Sequence, residues 1–419
     1  SRAFNEIKGE KVKNVAFVLQ RRKIKGWKPL FIDLTGIAGE EEKRRLFLKK
    51  KNIYSHVAQD DFSNHELCLI VYKTRHVGDI YYPPSKLEDV SEIKRCIATG
   101  SDNTFIMQWF EVEASKISSL DKREDKKWFF IANGGNFRKW YGNIENILNW
   151  ENDGEAIKQY DAATGKATLR NLKYMFKDGM TYTYTSMGSG IFNARMLFAG
   201  MGSIGVGPVI VNSENSIFTL AYINSNVFKW FIETMYGKVS TFETGNIGKV
   251  AFKIIQNTKI EELASTCIDL AKTDWDSYET SREFFRHPFV QQSTKIEKIY
   301  KSWELTLEKK FNEQKANEEE INRLFIEAYE LKDELTPEVP EKNITMRKAN
   351  LKKDIVTFIS YIVGCMLGRY SLDEPGLSYA GGGWDDSKYA TFQPVSDNII
   401  PLTDESFFHN DVIELFITF

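Results

Sequence analysis

Histidine is scarce in this chain: five residues in 419, none close to another, so no spacing proposes a metal centre. Cysteine is scarcer still. Cys68, Cys96, Cys267 and Cys365 lie far apart, which excludes zinc-ribbon and Cys-x-x-Cys redox chemistry and fits isolated thiols in a reducing cytoplasm. Long apolar runs are also missing. The longest, Ile355 to Leu367, falls short of the roughly 20 residues a membrane span needs and reads as a buried helix, so no membrane partner is expected. No secretory signal opens the sequence, and no internal repeat or Ser/His/Asp or Cys/His constellation is evident.

Core-forming material is plentiful. Hydrophobic residues make up 42% of the chain and charged residues 27%, the balance of a globular protein of two or three domains. A net charge of −2 argues against a simple DNA-coating protein, but it conceals an asymmetry. Residues 1–60 carry 15 Lys and Arg against 7 Asp and Glu, while residues 371–419 carry one Lys against 9 acids. A basic end can face phosphate. An acidic end meets protein or solvent instead, and for both ends a merely solvated face is the plain alternative.

Periodicity predicts an α+β protein with mixed or antiparallel pairing. In residues 1–90, Val15–Leu19, Leu30–Leu34 and Leu67–Tyr72 read as strands among basic turns at 21–25 and 43–51. Residues 91–255 are strand-rich, with β-prone runs at 105–112, 128–132, 180–186 and 206–211, turn signals at Gly134-Gly135 and Asn152-Asp-Gly154, and one helix carrying Val227, Trp230, Phe231 and Met235. Residues 256–369 turn helical: Ile296, Ile299, Trp303, Leu307 and Phe311 share one face, Ile321, Leu324, Phe325 and Ala328 another, and a further helix covers about 347–369. A Gly/Asp-rich tail occupies 370–419. The unpaired strand at 14–19 and the uncapped Ile413–Phe419 read as the edges of a piece of a longer protein.

Three motifs invite chemistry. Gly200-Met-Gly202-Ser-Ile-Gly205 has dinucleotide-loop spacing, but Pro208 and Val209–Val211 follow where a helix is needed, so a glycine-rich β-turn is expected. Methyl transfer to an exocyclic amine uses an Asn/Asp-Pro-Pro-aromatic loop to hold the flipped base. Tyr82-Pro83-Pro84-Ser85 lacks both the polar acceptor and the trailing aromatic, so no catalytic residue is assigned. Gly134-Gly-Asn-Phe-Arg-Lys-Trp-Tyr-Gly142 is more informative. Asn136 is a side chain suited to adenine edges, Arg138 and Lys139 supply cations, and Tyr141 supplies a stacking ring or phosphate contact. Beside it stands the polar turn Thr99-Gly-Ser101-Asp-Asn103. Each has a bland counterpart: a hairpin with a solvated basic tip, and a turn that caps a strand–helix junction.

Several strings together resemble one family, the PglX-type adenine-specific DNA methyltransferases of bacteriophage-exclusion (BREX) systems. They are Arg2-Ala-Phe-Asn-Glu-Ile-Lys-Gly-Glu10 leading into Val15–Leu19, Ile97-Ala-Thr-Gly-Ser-Asp-Asn103, Gly134–Asn143 with Asn149–Gly154, Gly245-Asn-Ile-Gly248, Asn322–Tyr329 with Asp333-Glu-Leu335, and Val363–Asp373. The resemblance implies that 1–90 trail a methyltransferase region, 91–255 form a target-recognition domain for double-stranded DNA, 256–369 are a helical spacer, and 370–419 open an acidic C-terminal region. It implies S-adenosylmethionine as the parent enzyme's cofactor, with none bound by these residues. Thr99, Ser101, Asn103, Asn136, Arg138, Lys139 and Tyr141 are then candidate DNA contacts. Two positions depart from the family pattern: Ser101 interrupts Thr-Gly-Asp-Asn, and Gly245-Asn-Ile-Gly replaces Gly-Asp-Ile-Ala. The alternative reading is a scaffold whose long helices and acidic tail dock other phage-exclusion proteins or a phage protein that imitates DNA.

Overall fold

Trp128–Ala132 is buried at every position, as a strand covered on both faces must be. It lies in one of two compact units of a computed structural model that describes residues 15–185, 191–213, 215–291, 295–405, 407–408 and 411–419. The smaller unit comprises residues up to 87 with 230–238 and 250–254; the larger holds the rest.

In the smaller unit, β1 (Phe31–Ile32) pairs antiparallel with β2 (Ile53–Tyr54). Between them runs α1 (Glu40–Leu48), whose first turn carries three glutamates where the helix dipole favours anions. The expected strand at 67–72 is absent, because side-chain packing holds that segment. Tyr72 stacks on Phe31 at 4.3 Å, and the Tyr81 hydroxyl donates to Leu69 O at 3.1 Å while accepting from Val71 N at 3.0 Å. Val15–Leu19 forms no strand either and is largely exposed. The basic run at 43–51, read as a turn, is mostly α1.

The larger unit contains two four-stranded sheets. One orders β3 (Glu92–Lys94), β10 (Val209–Val211), β7 (Gly179–Tyr182) and β8 (Ala194–Leu197), all antiparallel. The other orders β4 (Ile106–Gln108), β6 (Asn146–Asn149), β5 (Trp128–Ala132) and β9 (Gly202–Ser203), with only the β5–β9 pair parallel. The expected α+β class with mixed and antiparallel pairing is what forms. The turn signal at Asn152-Asp153-Gly154 is also met, since all three take positive φ. They begin a helical stretch, α2 (Glu151–Thr164), that the turn chemistry concealed.

Behind the sheets, α3 (Ser216–Ile223) puts Phe218 and Tyr222 against Phe325 at 5.4 and 5.5 Å. Phe325 sits near the end of α5 (Ile296–Ala328), a single 33-residue helix where two had been expected. It packs on α4 (Thr258–Trp275), which Asn257 caps by accepting from Lys259 N. The buried stripe of α5 runs Ile299, Leu307, Phe311, Gln314, Glu318, Ile321 and Phe325. Three buried polar residues on this face, Gln314, Glu318 and Asn322, demand partners. Next, α6 (Leu351–Met366) joins a cluster of Phe284, Tyr361, Tyr370 and Phe392. No helix among the described residues is long and apolar enough to cross a membrane.

Candidate nucleic-acid interface

The Gly134–Asn143 loop is built by its glycines. Gly134 and Gly135 both take positive φ, and a Cβ would stand 2.8 Å from Val206 O on the first and 2.7 Å from Asn143 Nδ2 on the second. The loop is held from beneath by Arg195, 1% exposed, on β8. Its guanidinium donates to Gly134 O at 2.7 Å, Asn193 Oδ1 at 3.1 Å and Thr183 Oγ1 at 3.2 Å. Burial, with Arg138 adding its repulsion, pulls Arg195 down to about 10, so it is still a cation at neutral pH. Asn143 closes the loop by donating to Gly134 O and Asn136 O, both at 2.9 Å.

This geometry corrects the expected roles of Arg138, Lys139 and Tyr141. Arg138 donates to Tyr141 O at 3.0 Å and to Asp274 Oδ2 at 2.6 Å, and lies over the Trp275 ring. Asp274, at the end of α4, also accepts from Arg347 N at 3.1 Å. Lys139, 5% exposed, pairs with Glu318 of α5. Trp140 Nε1 donates to that carboxylate at 2.8 Å and Gln314 Nε2 at 3.1 Å, so Glu318 in the α5 stripe is matched from the loop, while Asn322 accepts from Asn226 N at 2.8 Å and donates to Pro337 O at 3.0 Å. Tyr141 is 3% exposed, and Asp276, Glu283 and Asp121 add their charge to the burial that raises its pKa. The carboxylates around this hydroxyl would repel a phosphate. The loop's cations therefore fasten the strand-rich region to α4 and α5. Neither a solvated hairpin tip nor a base-reading edge describes them.

The Thr99–Asn103 turn is closed by its own side chains. Thr99, 1% exposed, donates to Asp102 and accepts from Ser101 N at 3.2 Å, while Ser101 Oγ meets Thr104 Oγ1 at 2.7 Å. Thr99 is thus withdrawn from any ligand, and the junction-closing alternative describes it. Ser101 is half-buried; the side chains of Asn103 and Asn136 face solvent. At the other departure, a Cβ on Gly248 would come 3.0 Å from Glu88 Oε2, and Glu88 is paired with Lys249, so the glycine makes room for that pair.

Beside the turn lies a basic edge that sequence reasoning missed. Ala98 and Thr168 exchange backbone hydrogen bonds at 2.9 and 2.8 Å, and Asn171 Nδ2 donates to Arg95 O at 2.8 Å, so 95–103 runs against 166–171. Arg95 lies over Tyr184 at 4.1 Å, with its Nε donating to Gly205 O at 2.9 Å. Lys173 lies over Tyr174 at 4.9 Å. Lys166 and Arg170 are exposed. Among the described residues, none of these four cations has an acidic group within 4 Å, unlike Lys94, Arg123, Lys127 and Lys249 of the same unit. The signal was the recurrence of Lys166, Arg170, Lys173 and Lys177 at three- and four-residue steps, but no period links it to Arg95.

The Gly200–Gly205 segment forms β9 and a turn, as expected. A Cβ on Gly200 would lie 2.0 Å from Ser119 O, and one on Gly207 2.3 Å from Ala132 O. Backbone fills the space that a phosphate would need. Tyr82 ends a short helix, exposed, with its hydroxyl taken by Asn64.

No protein-family model matches the chain. Over 98% of its length it is 35% identical to the adenine-specific methyltransferase PglX of Lacticaseibacillus casei (strain Zhang). It is 31% identical, again over 98%, to the adenine-specific methyltransferase BrxX of Escherichia coli O9:H4 (strain HS). It aligns with 36% and 35% of those proteins, and so spans about a third of the length of the curated relatives it matches. Among solved structures, the Type IIL restriction-modification enzyme MmeI in complex with DNA superposes at a TM-score of 0.34 with 11% identity, over 60% of this chain and 37% of that one; a likeness of that size carries no inference. The resemblance to the PglX-type adenine-specific methyltransferases read from the sequence holds along nearly the whole chain.

Proposed function

We propose that this chain is the DNA-recognition part of an adenine-specific methyltransferase that marks host DNA in phage defence. One observation carries the reading: four cations without acidic partners, Arg95, Lys166, Arg170 and Lys173, share an edge with two tyrosines and the exposed Asn103. Lys and Arg on such an edge bind the phosphate backbone and fix register, and an exposed Asn is the side chain suited to adenine. Held against a duplex, the edge would offset the few kcal/mol that flipping a base costs.

S-adenosylmethionine is the methyl donor we assign to the longer protein. The residues present do not fit it, since the glycine-rich turn is filled by backbone and Tyr82-Pro83-Pro84 lacks the acceptor. No step of methyl transfer is therefore placed on them.

The test is a salt titration of fluorescent duplex binding by the chain. Each phosphate contact contributes about 0.9 to the slope of log affinity against log salt. Arg170→Ala with Lys173→Ala should lower that slope by nearly two and weaken cognate and scrambled duplexes alike. Asn103→Ala should weaken the cognate duplex selectively. An unchanged slope in the double variant would remove this edge from the interface. A second reading, a protein-docking role for the tail, is favoured by exposed Leu402, Phe407, Phe408 and Ile417 among its acids. Partner capture that survives Arg170→Ala and Lys173→Ala but is lost on deleting 396–419 would support it.

A further inference from the structure

Tyr141 opens a question the nucleic-acid reading does not answer. Its side chain is almost wholly buried, yet among the described residues its hydroxyl has no hydrogen-bond partner. It lines a cavity of about 520 Å³ within the larger unit, a size ordinary for small-molecule sites. Part of the wall is apolar and aromatic, from Leu120, Met196, Ile268, and Phe198, whose ring meets Tyr141 edge-on at 5.7 Å; the rest is polar or charged. Exposed carboxylates of Asp121, Asp269 and Glu283 stand at the opening.

Of the two cations in the lining, only one is paired with an acid among the described residues. Lys272 is paired with Asp276 and lies 5.4 Å from the Tyr141 ring centre; Arg282 stands over Phe130 at 5.9 Å. Glu124 is occupied as well, accepting from Ser119 N at 3.1 Å. Asp121, Asp269 and Glu283 have no cation within 4 Å among the described residues, and these three acids outnumber Arg282, so the opening is left with a net negative field. A phosphate or carboxylate ligand is repelled there, and a neutral apolar one leaves the hydroxyl and the three acids unused.

We infer that this cavity binds an aliphatic organic cation of the polyamine class, its ammonium groups held by Asp121, Asp269 and Glu283, the Tyr141 hydroxyl accepting from one of them, and its methylene body lying on Leu120 and Phe198. The chemistry matches at both ends: charge-assisted hydrogen bonds bind ammonium to carboxylate, and an aromatic wall adds attraction for the cation. Tyr141 is thereby assigned a role that neither stacking on a base nor contact with phosphate gave it. The site stands apart from the basic edge, and its success or failure is independent of DNA binding.

Isothermal titration calorimetry of the full 419-residue chain tests this, with spermidine as probe, 1,6-hexanediol as its uncharged counterpart and Nα-acetyl-lysine amide standing in for a protein side chain. Spermidine should bind and hexanediol should not. Tyr141→Phe, which removes one oxygen, should weaken binding about threefold to tenfold, and Asp269→Asn with Glu283→Gln by tenfold or more. Asp385→Asn with Asp386→Asn, acids of the tail, should leave it unchanged. Circular dichroism melts confirm that each variant is folded. If spermidine gives no heat, if hexanediol binds equally, or if the tail variant loses as much as the cavity variant, the assignment falls. Tighter binding of the lysine amide than of spermidine would overturn the polyamine in favour of a partner's side chain.

Discussion

Removing the Lys139 amine should destabilise the protein more than its position beside a glycine-rich loop would suggest. Lys139→Met keeps the stem's volume and leaves the Glu318 carboxylate buried, 4% exposed, with only Trp140 Nε1 at 2.8 Å and Gln314 Nε2 at 3.1 Å to offset its charge. Breaking a buried pair from one side costs about 3–5 kcal/mol, a large part of the roughly 5–15 kcal/mol that holds a domain together. Glu318→Gln strands the amine instead, at a cost in the same range, while keeping an oxygen for Trp140. The double variant removes both charges and should lose far less than the two singles added, giving a coupling of about 2 kcal/mol or more in a double-mutant cycle. Urea titrations followed by tryptophan fluorescence read this directly, because Trp140 shares the carboxylate. A coupling below about 0.5 kcal/mol, the value of a surface pair, would refute the buried lock.

Arg138→Ala should follow the same logic, lowering the melting temperature through loss of the Asp274 contact at 2.6 Å while leaving the ratio of cognate to scrambled duplex binding unchanged; a changed ratio would return Arg138 to the interface. Burial, reinforced by Arg347, pushes His287 down to about 3, and its ring accepts from Phe289 N at 3.2 Å while meeting Thr357 Oγ1 at 3.1 Å. The folded state thus holds this ring neutral while the unfolded chain protonates it near 6.5, so its contribution is present above pH 6.5 and is lost as pH falls from there toward 3, at up to about 1.4 kcal/mol per unit. Flattening of the stability profile between pH 6 and 4 in His287→Asn checks this. Gly200→Ala should cut soluble expression and stability, since its Cβ would sit 2.0 Å from Ser119 O; a neutral result in thermal melts would show that the 119–120 backbone yields.

Much of the architecture was legible because it depends on local chemistry. Trp128–Ile131 and Val209–Val211 are β-prone at every residue, and the stripe from Ile296 to Phe311 repeats at helical steps. The errors occur where tertiary contacts replace local rules. Gln314 and Glu318 break the α5 stripe, so one helix looked like two; they are buried only because Trp140 and Lys139 reach them from the loop. Leu67–Tyr72 has strand composition but is held by ring stacking, and residues 151–164 hid a helix behind a turn signal. The expected strand end at Ser186 and the Arg2–Glu10 string lie outside the described residues.

The loop cations Arg138 and Lys139 are drawn away from a ligand for one physical reason. A basic, aromatic, glycine-flanked loop has the composition of a nucleic-acid surface, but the same composition suits a buried junction between a sheet and helices that carry acids. Composition cannot tell a cation awaiting phosphate from one already matched to carboxylate. What separates them is the partner: Asp274 and Glu318 lie 136 and 179 residues away from Arg138 and Lys139. Exposed cations without acids, such as Lys166 and Arg170, are the ones whose field extends into solvent and can attract a polyanion. The loop and the basic edge are linked through Gly205, whose neighbour Val206 packs on Gly134 while its own carbonyl accepts from Arg95. A rigid junction suits the edge proposed to read bases, because base discrimination depends on holding side chains within a fraction of an ångström of their targets.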